Sequence, residues 1–166
     1  IAITDDFDGN ARNSSFSDVG ANEFAGTVLD LTAPIIAYTP FANTSSLSDR
    51  TLIVNVSDQA GVPATAPGWP NLYWKKGILG TYTAVQPTSV TGSDYTFNFG
   101  SGVVPGDTVY YYLVARDTVA TTPNLRAFPT LGAGNYTFDP PAAGTPPTSP
   151  YSYQVTNSSL AGDYTV

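Results

Sequence analysis

Asp5, Asp6, Asp8 and Asn10 fall within the run Asp-Asp-Phe-Asp-Gly-Asn and place oxygen donors at near-alternate positions. Calcium takes carboxylate and amide oxygens, so Asp6, Asp8 and Asn10 are candidate calcium ligands. Gly9 comes early for a calcium loop, and no Glu follows at the closing position, which leaves Asp18 to close it. The competing reading is an Asx-rich turn. Asp58 and Asp117, each at the end of a strand-like run, form a second candidate set. Calcium is the only cofactor that the residues suggest.

Other reactive groups are scarce. The chain has no His and no Cys. The commonest general base and the strongest side-chain nucleophile are therefore missing. Lys75 and Lys76 sit beside a turn signal, where lysines face solvent, and the single Glu is Glu23, near the N-terminal end. A glycosidase needs two carboxylates across a cleft, and the Asp residues fall instead at strand ends and turns. The expectation is a chain that is not an enzyme and has no catalytic residues. Aromatic rings offer the alternative of sugar binding. Trp69, between Gly68 and Pro70, and Tyr73 are the candidate platforms, whereas Trp74 shares a face with Leu72 and is assigned to the core.

Composition narrows the partners. Six basic residues face thirteen acidic ones, a formal net charge of −7. Phosphate backbones need a basic stripe, and anionic membranes repel such a chain, so neither nucleic acid nor membrane insertion is expected. No apolar run is long enough to span a bilayer. Only 11% of residues are charged, so solubility rests on Ser, Thr and Asn. Met is absent, which implies that Ile1 was produced by processing or lies within a longer chain.

The elements that position these residues are short strands. Fourteen Pro and fifteen Gly interrupt any helical periodicity. Alternation is clear at Thr51 to Ser57, where Leu52, Val54 and Val56 share a face. It recurs at Asn71 to Lys75, at Tyr95, Phe97 and Phe99, and most strongly from Asp107 to Asp117. There Val109, Tyr111, Leu113 and Ala115 share one face, with Tyr110, Tyr112, Val114 and Arg116 on the other. Thr81 to Val85 should pair with Asn71 to Lys75 across a turn. Ile35 to Tyr38 opens the set, and Tyr151, Tyr153 and Val155 close it. About seven strands punctuated by turns predict an all-β, antiparallel, immunoglobulin-like sandwich over residues 33–156. Residues 118–150, rich in Pro, Gly, Thr and Ala, read as a long loop with a short strand at Asn135 to Phe138. Residues 1–32 and 157–166 read as extended arms.

Four stretches carry a family resemblance: Leu31–Pro40 (LTAPIIAYTP), Asp49–Asp58 (DRTLIVNVSD), Asp107–Asp117 (DTVYYYLVARD) and Pro147–Val155 (PTSPYSYQV). Over residues 32–156 the chain resembles the immunoglobulin-like, fibronectin-III-like modules of large bacterial surface proteins exported by the type IX route. The resemblance implies an extracellular, cell-surface spacer, adhesin or scaffold with no built-in active site. Asp107-Thr108-Val109 and Asp117-Thr118-Val119 resemble the O-glycosylation acceptor of the same bacteria, which makes Thr108 and Thr118 candidate glycan attachment sites. Tyr111, Leu113 and Ala115 are spaced as in the tyrosine corner of Greek-key sandwiches.

The arms suggest how copies join. Phe24 to Leu31 contains no Pro and offers Val28 to one face and Leu29 and Leu31 to the other, as a strand donated to a neighbour's sheet edge would. Leu160, Tyr164 and Val166 have the same character at the other end. The expected function is a structural subunit or repeat of an extracellular filament, sheath or adhesin, with other copies of itself as partners. The alternative is a carbohydrate-binding or spacer module that meets surface glycans.

Overall fold

The computed structural model describes residues 4–12 and 29–157. Phe24, Val28, Leu160, Tyr164 and Val166, assigned above to contact between copies, lie outside the described residues, as does Asp18.

The strands β1 (Ile35–Ala37), β2 (Arg50–Ser57), β3 (Asn71–Lys76) and β4 (Thr83–Val85) are followed by β5 (Ser89–Thr91), β6 (Asp94–Phe99) and β7 (Thr108–Arg116). After these come β8 (Leu125–Phe128), β9 (Gly134–Phe138), β10 (Pro141–Thr145) and β11 (Tyr151–Gln154). One sheet has the order β1-β2-β6-β5 and the other β11-β7-β3-β4, and all named pairings are antiparallel. This is an all-β sandwich, and its two sheets have the strand order of the immunoglobulin type.

The period-2 pattern sets the core. Leu52, Val54 and Val56 of β2 point inward beside Tyr95, Phe97 and Phe99 of β6. They meet Leu72, Val109, Tyr111 and Leu113 of the facing sheet. Trp74 is half-buried, as its alternation requires, with its ring 6.2 Å from that of Phe99. At Gly100 the backbone turns out of β6 with φ +104°, and a Cβ there would stand 2.5 Å from the Tyr153 hydroxyl.

Three expectations need correction. The stretch read as a long loop, 118–150, carries three strands. β8 pairs with β7, and β9 with β10 forms a hairpin that packs on β7. Tyr112 and Val114, on the face of β7 opposite Tyr111 and Leu113, are therefore buried by the chain's own hairpin, together with Ala127 and Ala143. The strand count rises accordingly, to eleven among the described residues. Finally, Tyr111 does not make a tyrosine corner. Its hydroxyl accepts the Phe41 N–H at 2.8 Å, in the β1–β2 connection, instead of bonding close to its own strand.

The strands also define two poles. β2 and β7 end at the same pole, where residues 29–34 lead into β1. β3 and β6 end at the opposite pole, where β11 delivers residues 155–157. There Thr156 N–H bonds to Thr44 O and Val155 N–H to Asp107 O.

Candidate functional site

The two strand ends at the first pole carry Asp58 and Asp117, and the segment entering β1 brings in Asp30. One carboxylate oxygen from each lies within 4.8 Å of the others. Asp117 is fully buried. Its Oδ1 accepts the Val119 and Asn124 N–H groups, and its Oδ2 accepts Asn124 Nδ2 at 2.6 Å. Asn124 Nδ2 also donates to Asp30 O. Asp30 Oδ1 accepts both the N–H and the hydroxyl of Thr32, while its Oδ2 shares the Ala60 N–H with Asp58 Oδ1. The loop after β2, the loop after β7 and the incoming segment are thus tied through one set of acidic side chains.

Among the described residues no Lys or Arg forms an ion pair with these carboxylates. Burial pushes the Asp58 carboxyl above its ordinary value, and the neighbouring Asp30 and Asp117 add to the effect. Asp30 is shifted the other way, chiefly by its bonds from Thr32. The close contact of the two carboxyls favours the protonated form of Asp58, in the direction of its shift. Hard oxygen donors in this number, without a cation of their own, are also the set that could hold a divalent ion. Asp58 and Asp117 were legible as strand-end residues. Asp30 was not, because it comes from loop and meets a partner 94 positions away.

The other calcium candidates fold differently. Asp6 is buried, and its Oδ1 accepts the N–H groups of Asp8 and Asn10 at 3.0 and 2.7 Å. Asn10 Nδ2 donates to Asp6 Oδ2. Asn10 thus turns a donor, not an oxygen, toward Asp6, and Asp8 contributes its backbone. An Asx-type turn closed by the Asp5–Ala11 bridge accounts for the run.

Neither aromatic platform stands free. Trp69 packs against the main core with its Nε1 buried. Tyr73 stacks on Tyr112 at 5.1 Å and donates its hydroxyl to Pro141 O, under the hairpin. Thr108 and Thr118 lie at opposite poles. Thr108 is half-buried at the start of β7, and Thr118 is exposed with its hydroxyl donating to Ala60 O. Leu29 and Leu31 are 68% and 75% exposed beside the acidic cluster. The chain matches no protein-family model and no curated protein.

Proposed function

We propose that the chain is an extracellular structural module, a subunit or repeat of a surface filament, sheath or adhesin, and that it works by linking end to end. The observation that carries this reading is the placement of residues 29 and 157 at opposite poles of the sandwich. A module threaded in that way extends an array along its long axis. The exposed Leu29 and Leu31, on the arm side, gain from being covered by another copy. The strands β1 and β5, at the two ends of one sheet's order, offer sites for strand addition by a donated arm. Sugar binding draws less support, because Trp69 and Tyr73 are engaged inside the fold.

Electron microscopy of the purified full chain tests the proposal, with filaments or end-to-end chains as the expected result. Deletion of residues 1–28, which spares Asp30, should leave a folded sandwich that no longer assembles. Unchanged assembly would remove the arm from the connection.

A further inference from the structure

The two poles differ in chemistry in a way that suits them to each other, and the contact this implies rests on the end-to-end reading. At the pole where residues 155–157 leave, the turn between β3 and β4 projects Ile78 and Leu79, 66% and 95% exposed. The turn is braced. Gly77 N–H bonds to Thr108 O at 2.8 Å, Gly80 N–H to Gly77 O at 3.2 Å, and Lys75 Nζ donates to Ile78 O at 2.6 Å. An apolar tip held this firmly loses little further entropy on docking. Val104, 55% exposed, lies in the neighbouring loop at the same pole, to which Lys76 is bonded through Gly102 O. Among the described residues, Arg50, Lys75 and Lys76 outnumber Asp49 and Asp107 at this end of the strands, with Lys76 Nζ 3.7 Å from Asp107 Oδ2.

The opposite pole carries a groove of about 450 Å³ lined by Leu29, Asp30, Leu31, Val119, Ala120 and Asn124, among others. Its walls are mostly apolar, and Asp30 joins it to the acidic cluster with Asp58 and Asp117. Apolar tip with basic support at one end and apolar groove with acidic support at the other are complementary in polarity and in charge. Both lie on one chain, at opposite poles, so each copy offers a tip to one neighbour and a groove to the next. Such a heterologous contact passes from copy to copy, and its placement at opposite poles favours an open chain over a ring.

We propose that the Ile78–Leu79 tip of one copy seats in the Leu29–Leu31–Val119 groove of a second copy, with Lys75 and Lys76 facing Asp30 and Asp58. A contact built on one turn is small and belongs to the weak, transient class, so it is measured at high protein concentration.

The chain has no cysteine, which makes disulfide trapping free of background. Leu79→Cys and Ala120→Cys, both at exposed loop positions, are made singly and together in the full chain. Oxidation of the double variant should give a ladder of linked multimers, and mixing the single variants should favour the 79–120 dimer over the 79–79 dimer. Leu79→Glu should weaken self-association at least about tenfold in sedimentation while leaving the melting curve unchanged. A double variant that stays monomeric overturns the inference. So does a preference for 79–79 linkage, or association insensitive to Leu79→Glu. Filaments that form by microscopy without 79–120 linkage would sink this contact alone. The absence of filaments and of linkage would sink the end-to-end reading with it.

Discussion

Asp58 is held between two opposing demands. It caps the turn after β2 by accepting the Ala60 N–H at 2.8 Å, and it does so beside two other carboxylates. Burial, and then the negative neighbours, raise its pKa above the ordinary 3.8. A raised carboxyl binds its proton more tightly folded than unfolded, so its contribution to stability falls as pH rises from 3.8 through the raised value. Asp30, shifted downward, contributes in the opposite sense, and its share is lost only as pH falls through its lowered value. Asp58→Asn keeps an oxygen for Ala60 and offers an amide donor to Asp30. The variant is expected to be more stable than the parent at pH 7 by about 1 kcal/mol, a figure discounted for partial solvent exposure. That corresponds to a melting temperature about 2–4 °C higher. The gap should close as pH falls toward 3.8. Melting curves across that range check the claim, and a gap independent of pH would sink it. With calcium present, a cation held by the three carboxylates would reverse the order, because Asp58→Asn removes one charged ligand and weakens the site. A parent melting curve unmoved by calcium or chelator would show that the cluster works by hydrogen bonds alone. Of this site, Asp58 and Asp117 could be read from strand ends. Asp30 entered only through the fold, since nothing local marks a loop aspartate as the partner of residues so distant in sequence.

Among the elements, alternation was a good guide wherever one face meets the core and the other meets water. β2 follows it residue by residue, with Leu52, Val54 and Val56 buried and their neighbours exposed. β7 breaks the rule. Its second face carries Tyr112 and Val114, too apolar for a solvated face, and that excess was the signal that something covers it. The cover could not be recognised directly. β10 reads Pro-Ala-Ala-Gly-Thr, in which only Thr145 favours a strand, and it is extended where β9 pairs with it over β7. At the other end of β6, the Gly100 turn meets Tyr153, whose buried hydroxyl finds no partner among the described residues. Gly100→Ala adds a Cβ at φ +104° and against that hydroxyl, and is expected to cost about 2 kcal/mol. Tyr153→Phe removes an unpaired buried polar atom and should be neutral or slightly stabilising. In the double variant part of the Gly100 penalty should vanish, because the steric share of it goes with the hydroxyl. Urea midpoints of the four proteins form the cycle, and strictly additive effects would show that the two residues do not meet. A third substitution probes the intersheet tie. Tyr111→Phe leaves the Phe41 N–H without its acceptor, and a loss of about 1–2 kcal/mol is expected in the same urea titration.

For the whole molecule, the distribution of charge matters more than its total. The net charge of −7 is spread over a chain with few charged residues, and among the described residues Asp30, Asp58 and Asp117 gather at one pole with no Lys or Arg ion-paired to them. Asp94, at the start of β6, joins Asp30, Asp58 and Asp117 there, bonded to Asn55 and not to a base. Crowded like charges weaken the fold that holds them, whereas in the proposed contact the same charges would attract the basic pole of another copy. Salt screens both effects, with a Debye length of about 30 Å at 0.01 M and about 3 Å at 1 M. Raising sodium chloride across that range should therefore push the two observables apart. The melting temperature should rise by a few degrees, as repulsion within the acidic pole is relieved. Self-association, followed by sedimentation at the same concentrations, should fall. Sulfate separates the apolar share of the contact from the ionic one. It strengthens apolar burial by its exclusion from protein surface. At matched ionic strength, association should then be greater in sulfate than in chloride. A rise of stability and association together with sodium chloride would mean that the copies meet through apolar surface alone, and the facing of Lys75 and Lys76 with Asp30 and Asp58 would be wrong.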